Sequence, residues 1–343
     1  MRAALAGTTG APFGTEATPM DDDFPWLIEE DKGFRVTEED PFPWLKDDDD
    51  EDEPDGLIGH PNQEGYAPYL VYLTEDDDTY VETYNRTENG YVYGLGGDDT
   101  IHTRSFGVSV FGGEGSDTLI WSYQPPRLLD GGDGVDTLDL SLLPRGAEVN
   151  LATGEAKTFV PLFLPDRGPV EIRSIENVTG TDHADTIWGD GNDNVLDGRG
   201  GGDFIAGGAG NDTIIAGTSE PGRRDVLMGG ADSDTFQFRT AEENLPAWQT
   251  DVVMDFEQGS DILAFETAYG FGSITFLPAS EAGDTVTWLD PRQNYLATAH
   301  TSQPGLPEVT EVSLWLTTGS SHEYAGVTLI GHHDLTAGDF MFV

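Results

Sequence analysis

A nine-residue pattern, G-G-x-G-x-D-x-U-x with U a large apolar residue, recurs along this 343-residue chain and limits its fold more than any other feature. Residues 112–120 and 131–139 match it in full, and residues 94–101 match with one glycine displaced. A second array starts at Gly180 and runs through Gly189, Gly198, Gly207 and Gly229, with residues 207–214 and 229–236 complete. The glycine-rich six residues form a turn, because several positions need φ > 0 or a close backbone approach. The remaining three form a short strand with U pointing inward. Nine residues are then half a turn of a flattened parallel coil. Consecutive repeats lie on opposite edges, and repeats 18 residues apart stack on the same edge. The pattern predicts an all-β chain built as a parallel β-roll.

The register shows what the turns are for. Strands stack about 4.8 Å apart and Ca–O bonds run about 2.3–2.6 Å, so one Ca²⁺ fits between two stacked turns. Asp side chains and turn carbonyls, those of Gly97, Gly115, Gly134 and Gly210 among them, would supply the oxygens. Mg²⁺ wants tighter octahedral geometry and keeps its water, so it suits such a cage poorly. Asp99 and Asp117 are 18 apart; Asp117 and Asp136 are 19 apart, which implies a one-residue insertion. The intervening half-turns put Val108 and Arg127 at the ligand position, so one edge of the first array has lost its acids. In the second array Asp185, Asp203 and Asp225 share one edge, and Asn194, Asp212 and Asp234 the other. Asp203–Asp225 and Asp212–Asp234 are both 22 apart, which a single four-residue insertion in loop 217–224 explains. Asn194 offers a neutral oxygen and should make a weaker site.

Charge arithmetic makes the cation part of the fold. Acidic residues outnumber basic ones 64 to 16, for a formal net charge of −48. Each repeat buries one principal apolar side chain (Ile101, Leu119, Leu138, Ile187, Leu196, Ile205, Ile214), worth about 1.5–3 kcal/mol. Ordering each residue costs about 1–2 kcal/mol, and glycine is at the expensive end. Two stacked carboxylates 4 Å apart repel by about 4 kcal/mol at an effective dielectric near 20. Without several bound Ca²⁺ ions the array should not fold.

These repeats resemble the RTX (hemolysin-type calcium-binding repeat) family of Gram-negative secreted proteins, over roughly residues 91–343. Ser174-Ile175-Glu176-Asn177-Val178-Thr179-Gly180, and the stretch from Asp251 to Asp261 followed by Leu335-Thr336-Ala337-Gly338-Asp339-Phe340, look like parts of serralysin-type C-terminal modules. The resemblance implies calcium-triggered folding outside the cell and export by type I secretion machinery. It passes the ligand role to Asp99, Asp117, Asp136, Asp185, Asp203, Asp212, Asp225 and Asp234. The ending Asp339-Phe340-Met341-Phe342-Val343 is similar to the secretion signal of such substrates. The expected localisation is extracellular or at the cell surface.

Residues 1–65 form an acidic segment expected to be disordered, with 18 acids between Glu16 and Asp55 against Lys32, Arg35 and Lys46. Within it Phe24-Pro25-Trp26-Leu27 recurs as Phe42-Pro43-Trp44-Leu45, either as local clustering or as a motif that docks on an extracellular partner. Residues 66–140 hold leading strands and the first array, 141–178 connecting strands, 179–238 the second array, and 239–343 a β-structured cap carrying the secretion signal.

Several functions are disfavoured. The acidic balance argues against nucleic acid, and no apolar run is long enough for a transmembrane helix. Cysteine is absent, which removes disulfides and thiolate chemistry. There is no H-E-x-x-H or G-x-S-x-G motif. His332-His333 and the pair Asp255 and Asp261 are weak catalytic candidates; a surface pair and turn-capping roles account for them better. The leading expectation is a secreted, non-enzymatic calcium-binding protein. The alternatives are a carbohydrate-binding or carbohydrate-modifying module, supported by aromatics expected at the surface (Trp121, Tyr123, Trp248), and a membrane-active protein.

Overall fold

The computed structural model describes residues 68–82, 90–158, 168–219, 223–239, 250–266, 274–277, 294–301, 308–318 and 321–343. Among these residues the regular secondary structure is strand apart from one short 3₁₀ turn, Ala337–Asp339. The strands form two sheets that wind as a parallel β-roll. The chain passes from a strand of the first sheet, through a turn, to a strand of the second, and back. Gly90–Gly96, Ser109–Glu114 and Leu128–Asp133 are adjacent and parallel in the first sheet; Thr100–Thr103, Thr118–Trp121 and Thr137–Asp139 are adjacent and parallel in the second. The turns from first to second sheet make one edge of the roll, and the return turns make the other.

The core follows from the period-two pleat. Val92, Val110 and Leu129 of the first sheet and Ile101, Leu119 and Leu138 of the second are fully buried in one cluster. Ile187, Leu196, Ile205 and Ile214 continue it, so every U position predicted above points inward. Trp121 belongs to this cluster too, against the expectation that it is exposed. It lies at an inward position of Thr118–Trp121, two residues beyond Leu119, and the alternation decides its side.

The two arrays form one stack. In the second sheet Asn177–Thr179 pairs with Thr137–Asp139 on one side and with Val195–Asp197 on the other. In the first sheet three strands fill the same gap: Val170–Arg173, Glu155–Thr158 and Ala147–Asn150, the middle one antiparallel to both neighbours. The first sheet is therefore two strands, or about 10 Å, wider there.

The parallel winding also runs beyond the last glycine repeat. Asp251–Val253 pairs with Val226–Ala231, and Ile262–Glu266 with Thr235–Arg239. Ser321–Ile330 joins the first sheet parallel to Asp251–Val253, and Val309–Thr318 and Asn294–Thr301 add to it antiparallel. Ile274–Leu277, whose alternation reads as one more antiparallel strand, instead pairs parallel to Asn294–Thr301 at the edge of the sheet. Phe340–Phe342 closes the second sheet beside Ile262–Glu266, parallel to it. Thr285-Val286-Thr287-Trp288 and both Phe-Pro-Trp-Leu copies lie outside the described residues.

Candidate metal centre

The turns from the first to the second sheet, that of Asn194 excepted, end in an acid, and from Asp99 on its side chain binds the backbone of the turn before it. Asp99 Oδ1 accepts from the Asp78 N–H, Asp117 Oδ1 from Asp99 and Asp136 Oδ1 from Asp117, each at 2.8 Å. Farther along, Asp212 accepts from Asn194 at 2.8 Å and Asp234 from Asp212 at 2.9 Å. The opposite edge carries a second, shorter ladder. There Asp185 accepts from Ala147 at 2.6 Å, Asp203 from Asp185 at 2.8 Å and Asp225 from Asp203 at 2.8 Å. The spacing-based division of these residues between two edges is thus the division in the fold. On the second edge the first array has no acid at the repeat's ligand position, where Val108 is buried and Arg127 exposed; the buried Glu82 instead accepts from the Arg104 and Ser105 N–H groups there, each at 2.8 Å.

The other carboxylate oxygen has a different situation. Oδ2 of Asp99, Asp117, Asp136, Asp203, Asp212 and Asp234 is buried with no hydrogen-bond partner. A buried, unpaired carboxylate oxygen is among the costliest groups a fold can hold. Each points to the first glycine of its own repeat. A Cβ on Gly94 would overlap Asp99 Oδ2 and the Gly112 carbonyl oxygen. On Gly112 it would overlap Asp117 Oδ2 and the Gly131 carbonyl, and on Gly131 Asp136 Oδ2 and the Ser174 carbonyl. Gly207 is the same, against Asp212 Oδ2 and the Gly229 carbonyl. A carboxylate oxygen and a carbonyl oxygen of the next turn therefore converge on a pocket that only glycine leaves open. Hard oxygen donors of this kind fit Ca²⁺. Gly97, Gly115, Gly134 and Gly210 have φ of 92°, 126°, 149° and 109° and bring the stacked turns within backbone contact. Among the described residues no three carboxylate or imidazole groups gather at one point. A cation would be held by single carboxylates in series plus backbone carbonyls.

Burial pushes the carboxylates up: Asp99, Asp203 and Asp212 to about 7, and Asp136 and Asp234 to about 6. Backbone hydrogen bonds to Oδ1 pull the other way without overcoming desolvation. Asp117 and Asp185 are raised for the same reason. Asp225 is raised most, by burial first and by the neighbouring Asp251 carboxylate second.

Three predicted ligands differ from the rest, and one of them, Asp225, shares a side-chain hydrogen bond with Asp251. Asp185 Oδ2 already accepts from the Thr181 N–H at 2.6 Å, and Thr181 Oγ1 donates to Oδ1 at 3.1 Å. Asn194 Oδ1 accepts from the Asp190 N–H at 3.0 Å, and its Nδ2 donates to the Glu176 carbonyl at 2.9 Å.

The ladders also contain acids outside the predicted set. Glu176 takes the rung after Asp136, accepting its N–H at 2.8 Å. The turn there, Ser174 to Glu176, is three residues shorter than the six-residue turn ending at Asp136, and Ser174 sits at φ 48°. The longer Glu side chain makes up the missing reach. Asp261 accepts from Asp234 at 3.0 Å, and Asp339 from Gly259 at 3.1 Å. Asp251 accepts from Asp225 at 2.9 Å. Asp255 caps the Gly229 and Gly230 N–H groups at 3.0 and 3.1 Å. The acids in S-I-E-N and D-F-x-x-G-x-D were visible in the sequence, but their turn lengths break the nine-residue count.

The two adjacent histidines have different surroundings. His333 Nε2 meets the Ile330 carbonyl at 3.0 Å and its ring packs edge-on against Phe256. His332 lies instead between Glu308 and Asp334 at 4.0 and 3.4 Å. Tyr123 is exposed, and Trp248 lies outside the described residues. Among the described residues no helix is long and apolar enough to cross a membrane.

Comparison with known proteins finds no match among curated sequences. Among solved structures, the R3 subunit of the AlgE6 mannuronan C5-epimerase of Azotobacter vinelandii is 24% identical (TM-score 0.32), covering 48% of this chain and 80% of that one. The R2 subunit of the same epimerase is 23% identical (TM-score 0.28), covering 48% and 90%. The extracellular lipase LipA of Serratia marcescens is 17% identical (TM-score 0.19), covering 81% of this chain and 40% of that one. The family profile described as peptidase M10 serralysin C terminal matches residues 85–286, which span both ladders, and the chain belongs to that family.

Proposed function

We propose that this chain is a secreted, non-enzymatic calcium-binding RTX protein, whose roll folds when external Ca²⁺ enters the turns. The observation that carries the reading is the repeated pairing of a buried, partnerless Asp Oδ2 with a carbonyl oxygen of the next turn, at a glycine that leaves the space open. Asp99, Asp117, Asp136, Asp203, Asp212 and Asp234 would hold the ions, with the Gly112, Gly131, Ser174 and Gly229 carbonyls. Bound calcium supplies the positive charge that lets these carboxylates stay ionised while buried. The chain's part is to hold the oxygens in place and exclude water. Cytosolic calcium is too low to fill extracellular-type sites with dissociation constants of about 10⁻⁴–10⁻³ M. The chain would stay unfolded until the type I exporter has passed it out.

Far-UV circular dichroism tests this. The full chain should lack β-structure in EGTA and gain it cooperatively near millimolar Ca²⁺, with Mg²⁺ much less effective. A chelated chain with its full β signal would sink the proposal.

A further inference from the structure

The roll is charged differently on its two edges. The first edge, where the acid ladder runs, also exposes Asp76, Asp77, Asp98, Glu114, Asp133 and Asp193. The return turns of the second edge carry most of the described cations: Arg104, Arg127, Arg145, Arg199, and the Arg223–Arg224 pair. All but the half-buried Arg199 are exposed. They occupy one return turn after another, so they run along the stack as a line. Acids of the same edge lie among these and neighbouring cations: Asp182 pairs with Arg199 at 3.0 Å, Glu266 with Arg239 at 2.9 Å, and the buried Glu82 accepts from the Arg104 N–H at 2.8 Å. The buried acids of that edge, Asp185, Asp203 and Asp225, face the turn backbone. Every cation in the line is arginine, whose planar fork binds carboxylates in pairs of hydrogen bonds. On a chain of net charge −48 such a line of exposed arginines is a local exception whose chemistry suits an anionic partner.

The sequence supplies one at close range. Strands of the first sheet run from the second edge to the first, so Tyr69–Tyr72, the first described strand, begins at the arginine edge. The chain before it therefore leaves the roll on that side. It contains Asp47-Asp48-Asp49-Asp50-Glu51-Asp52-Glu53, ending fifteen residues ahead of Pro68. At about 3.3–3.6 Å per residue, that connection reaches up to about 50 Å, or ten strand spacings. We infer that the acidic stretch 47–53 docks along the arginine edge of its own roll, held by carboxylate–guanidinium pairs. The pairing is one of charge pattern, so it needs no fixed backbone conformation in the tail.

The absence of cysteine makes the test direct. The full calcium-loaded chain carrying Glu51→Cys is labelled with a nitroxide, and paramagnetic broadening of backbone amides is read on both edges. Broadening should concentrate on the return turns near Arg104, Arg127 and Arg145 and spare the turns near Asp98 and Asp193. It should vanish in about 1 M salt, where screening acts within about 3 Å. It should also vanish in the quadruple variant Arg104→Gln, Arg127→Gln, Arg145→Gln, Arg224→Gln. Equal broadening of both edges, none at all, or broadening that survives the quadruple variant overturns the inference. If the quadruple variant fails to show the dispersed amide spectrum of the parent, the salt series on the parent decides alone. The roll must fold in calcium for any arm to be read, so a failure of calcium folding is seen first and separately.

Discussion

At Gly112 a methyl group would fall on both Asp117 Oδ2 and the carbonyl of Gly131. The second obstacle is backbone of the next turn, which cannot swing aside as a side-chain end can. Gly112→Ala should therefore destabilise the calcium-loaded roll by about 1–3 kcal/mol, read as a lower melting temperature at fixed Ca²⁺. Gly191 is the control, since a Cβ there meets nothing within 4 Å; Gly191→Ala should stay within about 0.5 kcal/mol of the parent. If the two variants melt alike, the pocket beside Gly112 is not tight. Asp117 separates two roles of one side chain. Asp117→Asn can keep the acceptor for the Asp99 N–H while replacing the partnerless oxygen with an amide nitrogen. It should bind one ion fewer by calorimetric titration yet tolerate chelation better than the parent, having lost a buried charge. Asp117→Ala loses both roles and strands the Asp99 N–H, at an added cost of about 1–3 kcal/mol. An Asn variant with unchanged ion stoichiometry would remove Asp117 from the ligand set.

Among the elements, the junction between the arrays shows how much the sequence tells and where it stops. The glycine turns, the inward U positions and the two-edge register all follow from a fixed count of residues, and the count survives insertions that shift both ladders together, as between Asp203 and Asp225. Glu176, Asp261 and Asp339 escape the count because their turns have other lengths, and it is the fold that brings them to the next rung. Trp121 and Tyr123 look alike in composition, but the pleat of Thr118–Trp121 turns Trp121 inward while Tyr123, beyond the strand, is exposed. At the junction, side-chain length is the point at issue. Glu176→Asp keeps the charge but is one methylene too short to reach the Asp136 N–H across the shortened turn; Glu176→Gln keeps the reach. Hydrogen exchange at the Asp136 amide should accelerate in the Asp variant, by about tenfold for each 1.4 kcal/mol of lost protection, and much less in the Gln variant. Equal protection in all three proteins would mean that the rung at Glu176 contributes nothing to holding the arrays together.

For the whole molecule, protons and calcium compete for the same oxygens, and the raised carboxylates fix the direction of that competition. Asp99, Asp203 and Asp212 near 7, with Asp136 and Asp234 near 6, lie above the value of about 3.9 that an aspartate has in an unfolded chain. A group whose pKa rises on folding favours the folded state below its unfolded pKa and loses that contribution as pH rises through its folded pKa. The calcium-free roll should therefore be least unstable near pH 4 and lose folded population steadily up to about pH 7. Protonation also lowers the net charge of −48, so self-repulsion acts in the same direction. With calcium the sign reverses, because an ion must displace the protons: the midpoint calcium concentration for folding should fall as pH rises from 5 to 7.5. Circular dichroism across a grid of pH and Ca²⁺ measures both trends in one experiment. A calcium midpoint independent of pH over that range would mean that the buried carboxylates are already ionised before calcium arrives, and that another source of positive charge holds the ladders together.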